Sequence, residues 1–151
     1  MIDYVKENED DLWQATNIQT LNTKGAEINM LWQPSFAGIE HKFDIGYAYL
    51  REDLQDLDIN FSRYSINSLK HQVSAVYRST WLKNISHTLV YKFAERTNGS
   101  SYTVVDGMIS YRVKSLTFDV VANNIFNAEY TETNLVPMPK GNVLFGLTYI
   151  L

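Results

Sequence analysis

The sequence predicts an all-β protein, an antiparallel up-and-down sheet or barrel of about eight strands. Three observations predict it. Apolar residues recur with period two along almost the whole chain, and the 3.6-residue period of a helix face is nearly absent. Clusters of Asn, Gly, Pro, Ser and charged residues punctuate these runs. The connections alternate between short and long, so the two ends of the sheet carry different loops.

The elements follow in order. The opening run sets Ile2 and Tyr4 against Asp3, as the end of a strand does. TKGAEINMLW places Ala26, Ile28, Met30 and Trp32 opposite Gly25, Glu27 and Asn29. A turn around Gln33-Pro34-Ser35 leads to FDIGYAYL, with Phe43, Ile45, Tyr47 and Tyr49 on one face. HQVSAVYRSTWL sets Val73, Ala75, Tyr77 and Trp81 against Gln72, Ser74, Arg78 and Thr80. After Lys83-Asn84, ISHTLVYKFAE sets Ile85, Leu89, Tyr91 and Phe93 against Ser86, Thr88 and Lys92. TVVDGMISYRV sets Val105, Ile109, Tyr111 and Val113 against Asp106, Ser110 and Arg112. Past Lys114-Ser115, Leu116, Phe118, Val120 and Ala122 share a face, and the last run groups Val143, Phe145, Leu147, Tyr149 and Leu151. The longer polar connections are KENEDD, REDLQDLDINFSRYS, ERTNGSS and TETNLVPMPKG.

Composition narrows the classes. A net charge of −4 without a basic stripe argues against a nucleic-acid partner. With no cysteine there is no disulfide framework, thiolate metal site or cysteine nucleophile. No apolar run is long enough for a membrane-spanning helix, which leaves barrel strands open. The opening lacks the apolar run of a signal peptide and starts inside a strand, which predicts a chain that is part of something longer.

Alternation by itself fits a soluble barrel with an apolar interior or a membrane barrel with an apolar exterior. Loop sorting by length favours the membrane barrel. Glu27, Asp44, Arg78, Lys92, Asp106, Arg112 and Asp119 all fall at mid-strand on the polar face. Trp32 and Trp81 near the short turns, with Tyr149, suggest an aromatic girdle.

Several segments, in order, resemble TonB-dependent outer-membrane receptors. NTKGAEINMLW is similar to their Thr-Lys-Gly-x-Glu segment, and SLKHQVSAVY to a strand carrying Pro-x-His-Lys, here without the proline. VVDGMISYRV resembles their penultimate descending strand. NNIFNAEYTE resembles Asn-Leu-Phe-Asn-x-Glu-Tyr, and VPMPKGNVLFGLTY the ending in which Pro-Met-Pro-Gly-Arg precedes the last strand. Gly146, Tyr149 and Leu151 resemble the C-terminal signal read by the barrel assembly machinery, with Leu where the family carries Phe or Trp.

The resemblance implies that residues 1–151 are one partial domain, the last third of a 22-stranded barrel without its plug or TonB box. It further implies uptake of a scarce nutrient such as a ferric siderophore or cobalamin. The implied partners are outer-membrane lipid, the TonB complex through an N-terminal part not in this chain, the assembly machinery and the nutrient. Asn123, Asn124 and Asn127 are expected to bond the backbone where it leaves the sheet. Tyr130, Asn134 and Met138 are the candidate ligand-facing residues of the last outer loop.

Two alternatives stay open: an independent eight-stranded outer-membrane barrel, and a soluble β-barrel holding a small apolar ligand against Phe43, Tyr77, Phe93 and Phe118. No catalytic constellation stands out, so no enzyme activity and no cofactor are expected. The acidic run Glu52, Asp53, Asp56, Asp58 and Asn60 starts like a calcium loop. It has Phe61 at the sixth position and Asn67 at the twelfth, where glycine and glutamate belong, and reads as a solvated loop. His41, His71 and His87 lack metal-ligand spacing, and His71 reads as structural.

Overall fold

The computed structural model describes residues 2–17, 21–54, 61–62, 69–132 and 136–150. These residues contain strands, turns and loops, and no helix. The strands are β1 (Ile2–Lys6), β2 (Gln14–Asn17), β3 (Leu21–Trp32), β4 (Ser35–Phe36), β5 (Ile39–Leu54), β6 (Phe61–Ser62), β7 (Leu69–Trp81), β8 (Ile85–Arg96), β9 (Ser101–Val113), β10 (Leu116–Asn123) and β11 (Asn142–Tyr149).

Seven of them form one antiparallel meander in the order β11-β10-β9-β8-β7-β5-β3, and β4 adds to β5 as the eighth member of the sheet. Each long strand lies beside its neighbour in sequence, as short connections favour. The sheet is thus all-β, antiparallel and up-and-down, as the period-two pattern predicts. The opening run takes another place. β1 pairs with β2 and β6 in a separate three-stranded sheet, because a strand's edge is filled by whichever backbone reaches it, and alternation does not specify the partner.

Turn chemistry fixes the connections at one end. Ala37 and Gly38 have φ of 51° and 74° between the paired Phe36 and Ile39, the two left-handed residues of a type I′ hairpin. Lys114, at φ 52°, turns the chain between Val113 and Leu116. At the opposite end β8 and β9 run on to Arg96 and Ser101, so ERTNGSS shrinks to a tight turn. There Arg96 accepts from Gly99 N–H at 3.0 Å and donates to Ser100 at 2.8 Å, with Gly99 at φ 83°. Sorting of loops by length therefore fails at this connection. Its polar residues continue the ladder, since backbone pairing does not require apolar side chains.

Register confirms the two faces residue by residue. Trp32, Phe43, Tyr77 and Leu89 are successive cross-strand partners on the apolar face. Asn29, Gly46, Ser74, Lys92 and Val104 form the matching row on the polar face. Gly46 leaves room there for two polar side chains: a Cβ would stand 2.8 Å from both Asn29 Oδ1 and Ser74 Oγ, which would have to turn aside.

Among the described residues no second layer of strands covers the sheet. Strands contact only their hydrogen-bonded neighbours, and neither β3 nor β11 pairs along its outer edge among the described residues. The apolar face is consequently open: Ile28 is 66% exposed, Leu147 65% and Phe145 82%. Among the described residues the buried apolar side chains are Ala94 and Val104, and both lie on the polar face.

Candidate functional site

The connection between β10 and β11 folds back onto this part of the polar face, against Lys92, Arg96 and Tyr102. Asn124, with φ 48° and only 4% exposed, begins it. Asparagine tolerates this left-handed conformation because its short amide bonds the local backbone. Its Oδ1 accepts from Ala128 N–H at 2.8 Å, and its Nδ2 donates to the carbonyls of Ala128 and Pro139 at 2.9 and 3.3 Å. Its own N–H donates to Asp106 Oδ1 at 2.7 Å, which ties the turn to β9. Asn127, at φ 53°, accepts from Gly141 N–H at 2.9 Å. Asn123 instead donates to Asn142 Oδ1 at 3.0 Å, across the last pair of the ladder. Two asparagines thereby bind both ends of the connection into one neck, as their place at the strand end predicts.

Beyond the neck the two arms form a small hairpin. Thr131 bridges Pro137, and Met138 N–H donates to Tyr130 O at 2.9 Å. This hairpin lies across the polar face of β8 and β9. The Lys92 ammonium pairs with the Glu132 carboxylate. Arg96 donates through Nη2 to the carbonyls of Thr131 and Glu132. The Tyr130 ring rests 4.7 Å from that of Tyr102, tilted by 30°, and Lys92 Nζ lies 5.8 Å from the Tyr102 ring centre. Burial raises the Tyr130 phenol above its ordinary pKa, and the Glu132 charge raises it further. At the neck, the hydrogen bond and charge of Lys140, 2.9 Å away, lower the Glu129 carboxyl below its ordinary range.

Of the candidate loop residues, Tyr130 and Met138 are brought together in this hairpin, and Asn134 lies outside the described residues. A shallow cleft of about 380 Å³ opens beside Tyr130, bounded by Arg96, Tyr102, Glu129 and Pro137. Residues that pattern reading did not single out as a site supply the contacts: Lys92, Arg96, Tyr102 and Glu132. Lys92 was legible as a charge at mid-strand on the polar face. Its partner, forty residues further on, was not.

The candidate assembly signal is remote from the loop, at the far end of β11. Gly146 pairs with Asp119 on the polar face, where a Cβ would meet Asp119 Cβ at 3.3 Å. Tyr149 pairs with Leu116 on the apolar face and is 63% exposed. Leu151 lies outside the described residues.

The remaining candidates fall elsewhere. His71 Nδ1 bonds the Tyr47 hydroxyl at 2.8 Å between the rings of Tyr47 and Tyr49, a structural arrangement. His41 bonds the Tyr77 hydroxyl at 2.8 Å, and His87 packs 4.4 Å from Trp81. With Trp32 stacked 5.2 Å from Phe43, these rings form an aromatic band on the apolar face at the short-turn end. No group of metal-ligating side chains occurs among the described residues. Asp56, Asp58, Asn60 and Asn67, and the side chains of Glu52, Asp53 and Phe61, lie outside what is described. Two further clefts open on the polar face near the short turns, the larger about 570 Å³ and lined in part by Lys42, Arg78 and Thr88.

No protein-family model, curated protein or solved structure matches the chain.

Proposed function

We propose that this chain forms part of the wall of an outer-membrane β-barrel and belongs to a TonB-dependent receptor that takes up a scarce nutrient, such as a ferric siderophore or cobalamin. The observation that carries the membrane part is the uncovered apolar face of a single-layer sheet. A water-soluble protein rarely exposes an apolar patch beyond several hundred Å², whereas here one sheet face is largely apolar and no second layer lies on it among the described residues. Lipid satisfies that face without a second layer.

Strand length agrees in most of the sheet. A tilted strand needs about 9–11 residues to cross a bilayer; β3, β5, β7, β8 and β9 reach that, with 12, 16, 13, 12 and 13, while β10 and β11 have 8 each. The aromatic band around Trp32, Phe43 and Trp81 suits the headgroup boundary. β3 and β11 have no partner on their outer edges among the described residues, which favours a segment of a larger wall over a closed eight-stranded barrel. Clefts and the inward loop lie on the polar side, which in a membrane barrel is the lumen. The receptor assignment rests on the ordered motifs from NTKGAEINMLW to the last strand.

Two experiments test the parts separately. In variants whose only tryptophan is at Phe145 or Tyr91, brominated lipid quenches the fluorescence, and a tryptophan at Ser74 escapes it. Absence of quenching at positions 145 and 91 would instead support the soluble barrel, whose apolar face is turned away from lipid. An antibody to residues 131–141, applied to the host's outer-membrane fraction, detects a band several times larger than 17.4 kDa. A band at that mass would replace the receptor segment with an independent small barrel.

A further inference from the structure

We propose that the connection between β10 and β11 is a strap that closes over the outer part of the polar face, hinged at Asn124 and Asn127 and latched by Lys92 on Glu132. This goes beyond the receptor reading and does not depend on it, since every contact involved lies on the sheet and its own loop.

Hinge and latch differ in kind. At the hinge, Asn124 is almost fully buried and its amide bonds both arms of the connection. The backbone also holds it, through Asp106 and through Ile125 N–H donating to Val105 O at 2.8 Å. That end stays shut unless several bonds break together. The latch is an ion pair whose side chains are each 35% exposed, backed by Arg96 on two carbonyls. Partly exposed pairs are weak and individually breakable. Releasing the latch while the hinge holds swings the Tyr130 arm off Tyr102 and uncovers what lies beneath. Beside the residues that the latch contacts lie Ala94 at 1% and Val104 at 5% exposure, opposite Tyr102 and Lys92, on a sheet whose other face is open. The strap therefore controls access of solutes to the patch of polar face around Lys92, Tyr102 and Val104.

The chain has no cysteine, so a single introduced thiol reports on that cover. Val104→Cys reports beneath the strap, and Ser74→Cys reports on the same face outside it. In the full-length chain, held monomeric in detergent micelles, a small thiol reagent is expected to modify position 104 much more slowly than position 74. Because Lys92 faces both positions across the strands, the rates are compared per thiolate, from their full pH dependence. Adding Lys92→Glu accelerates the thiolate rate at 104 by about five-fold, the factor set by an exposed ion pair at the upper end of its range, and leaves the thiolate rate at 74 unchanged. Adding Glu132→Lys to that variant, which restores the pair with its charges exchanged, returns the slow rate. Equal rates at 104 and 74 in the parent chain would overturn the strap. So would an unchanged rate at 104 with Lys92→Glu, or an acceleration that the charge exchange fails to reverse.

Discussion

Asn124 holds the neck of the outer loop, and its replacement separates hydrogen bonding from backbone conformation. Asn124→Ala removes three side-chain hydrogen bonds, to Ala128 N–H and to the carbonyls of Ala128 and Pro139. Each bond contributes about 0.5–1.5 kcal/mol net, and the one at 3.3 Å belongs at the low end. The loss is then about 2 kcal/mol. Alanine also adopts φ 48° poorly, which adds about 1 kcal/mol. Asn124→Gly loses the same bonds without that second cost. Local opening of the neck should therefore become about a hundred-fold more frequent with alanine and about thirty-fold with glycine, at a factor of ten per 1.4 kcal/mol. Amide hydrogen exchange at Asn127, Ala128 and Gly141, read by NMR in detergent, measures this. All three N–H groups donate inside the neck. Exchange at the parent rate in both variants would refute the neck, and equal acceleration in both would refute the conformational part.

Three other predictions bear on the sheet and the loop. Phe145→Arg places a charge on the apolar face beside Val120 and should cost about 2–4 kcal/mol near the bilayer midplane; Ala48→Arg, on the polar face opposite Glu27, should be tolerated, and folding titrations in lipid vesicles distinguish them. Gly25→Ala drives a Cβ against the Tyr49 carbonyl oxygen at 2.6 Å and should destabilise by about 1–3 kcal/mol, whereas Gly46→Ala meets only the ends of the Asn29 and Ser74 side chains and should cost less; the same folding titrations compare them. Because Lys140 lowers the Glu129 pKa, the pair stabilises the neck above the ordinary carboxylate value of 4.5 and its contribution disappears as pH falls through the lowered one. The Glu129 side-chain carbon signal should titrate below 4.5, and Lys140→Gln should move it back up; an unmoved midpoint would rule the pair out.

Much was legible from the sequence alone. Successive side chains in a strand point to opposite faces whatever the strand pairs with, so the faces of Ile28, Tyr47, Val73 and Phe93 followed from alternation, and the observed register aligns them in one row. The turns at Lys83-Asn84 and Lys114-Ser115 followed as well, from polar residues set between apolar runs, whereas the turn expected around Gln33-Pro34-Ser35 falls at Ala37-Gly38, because Ser35 and Phe36 pair with β5. Asparagine chemistry at the end of β10 was legible for a similar reason: its amide acts on backbone within a few residues.

Tertiary structure alone decided three matters. Alternation is indifferent to which edge a strand joins, so the pattern did not reveal that β1 leaves the main sheet for β2 and β6. Polar residues beyond the apolar stretch carry no period, so the extension of β8 and β9 through ERTNGSS emerged only from the hydrogen-bond ladder. The fold of the last connection over the polar face depends on Lys92 meeting Glu132 and Tyr102 meeting Tyr130. Local rules act over a few residues along the chain, whereas these contacts exist only once the β meander has set β8 and β9 beside the path of the returning loop.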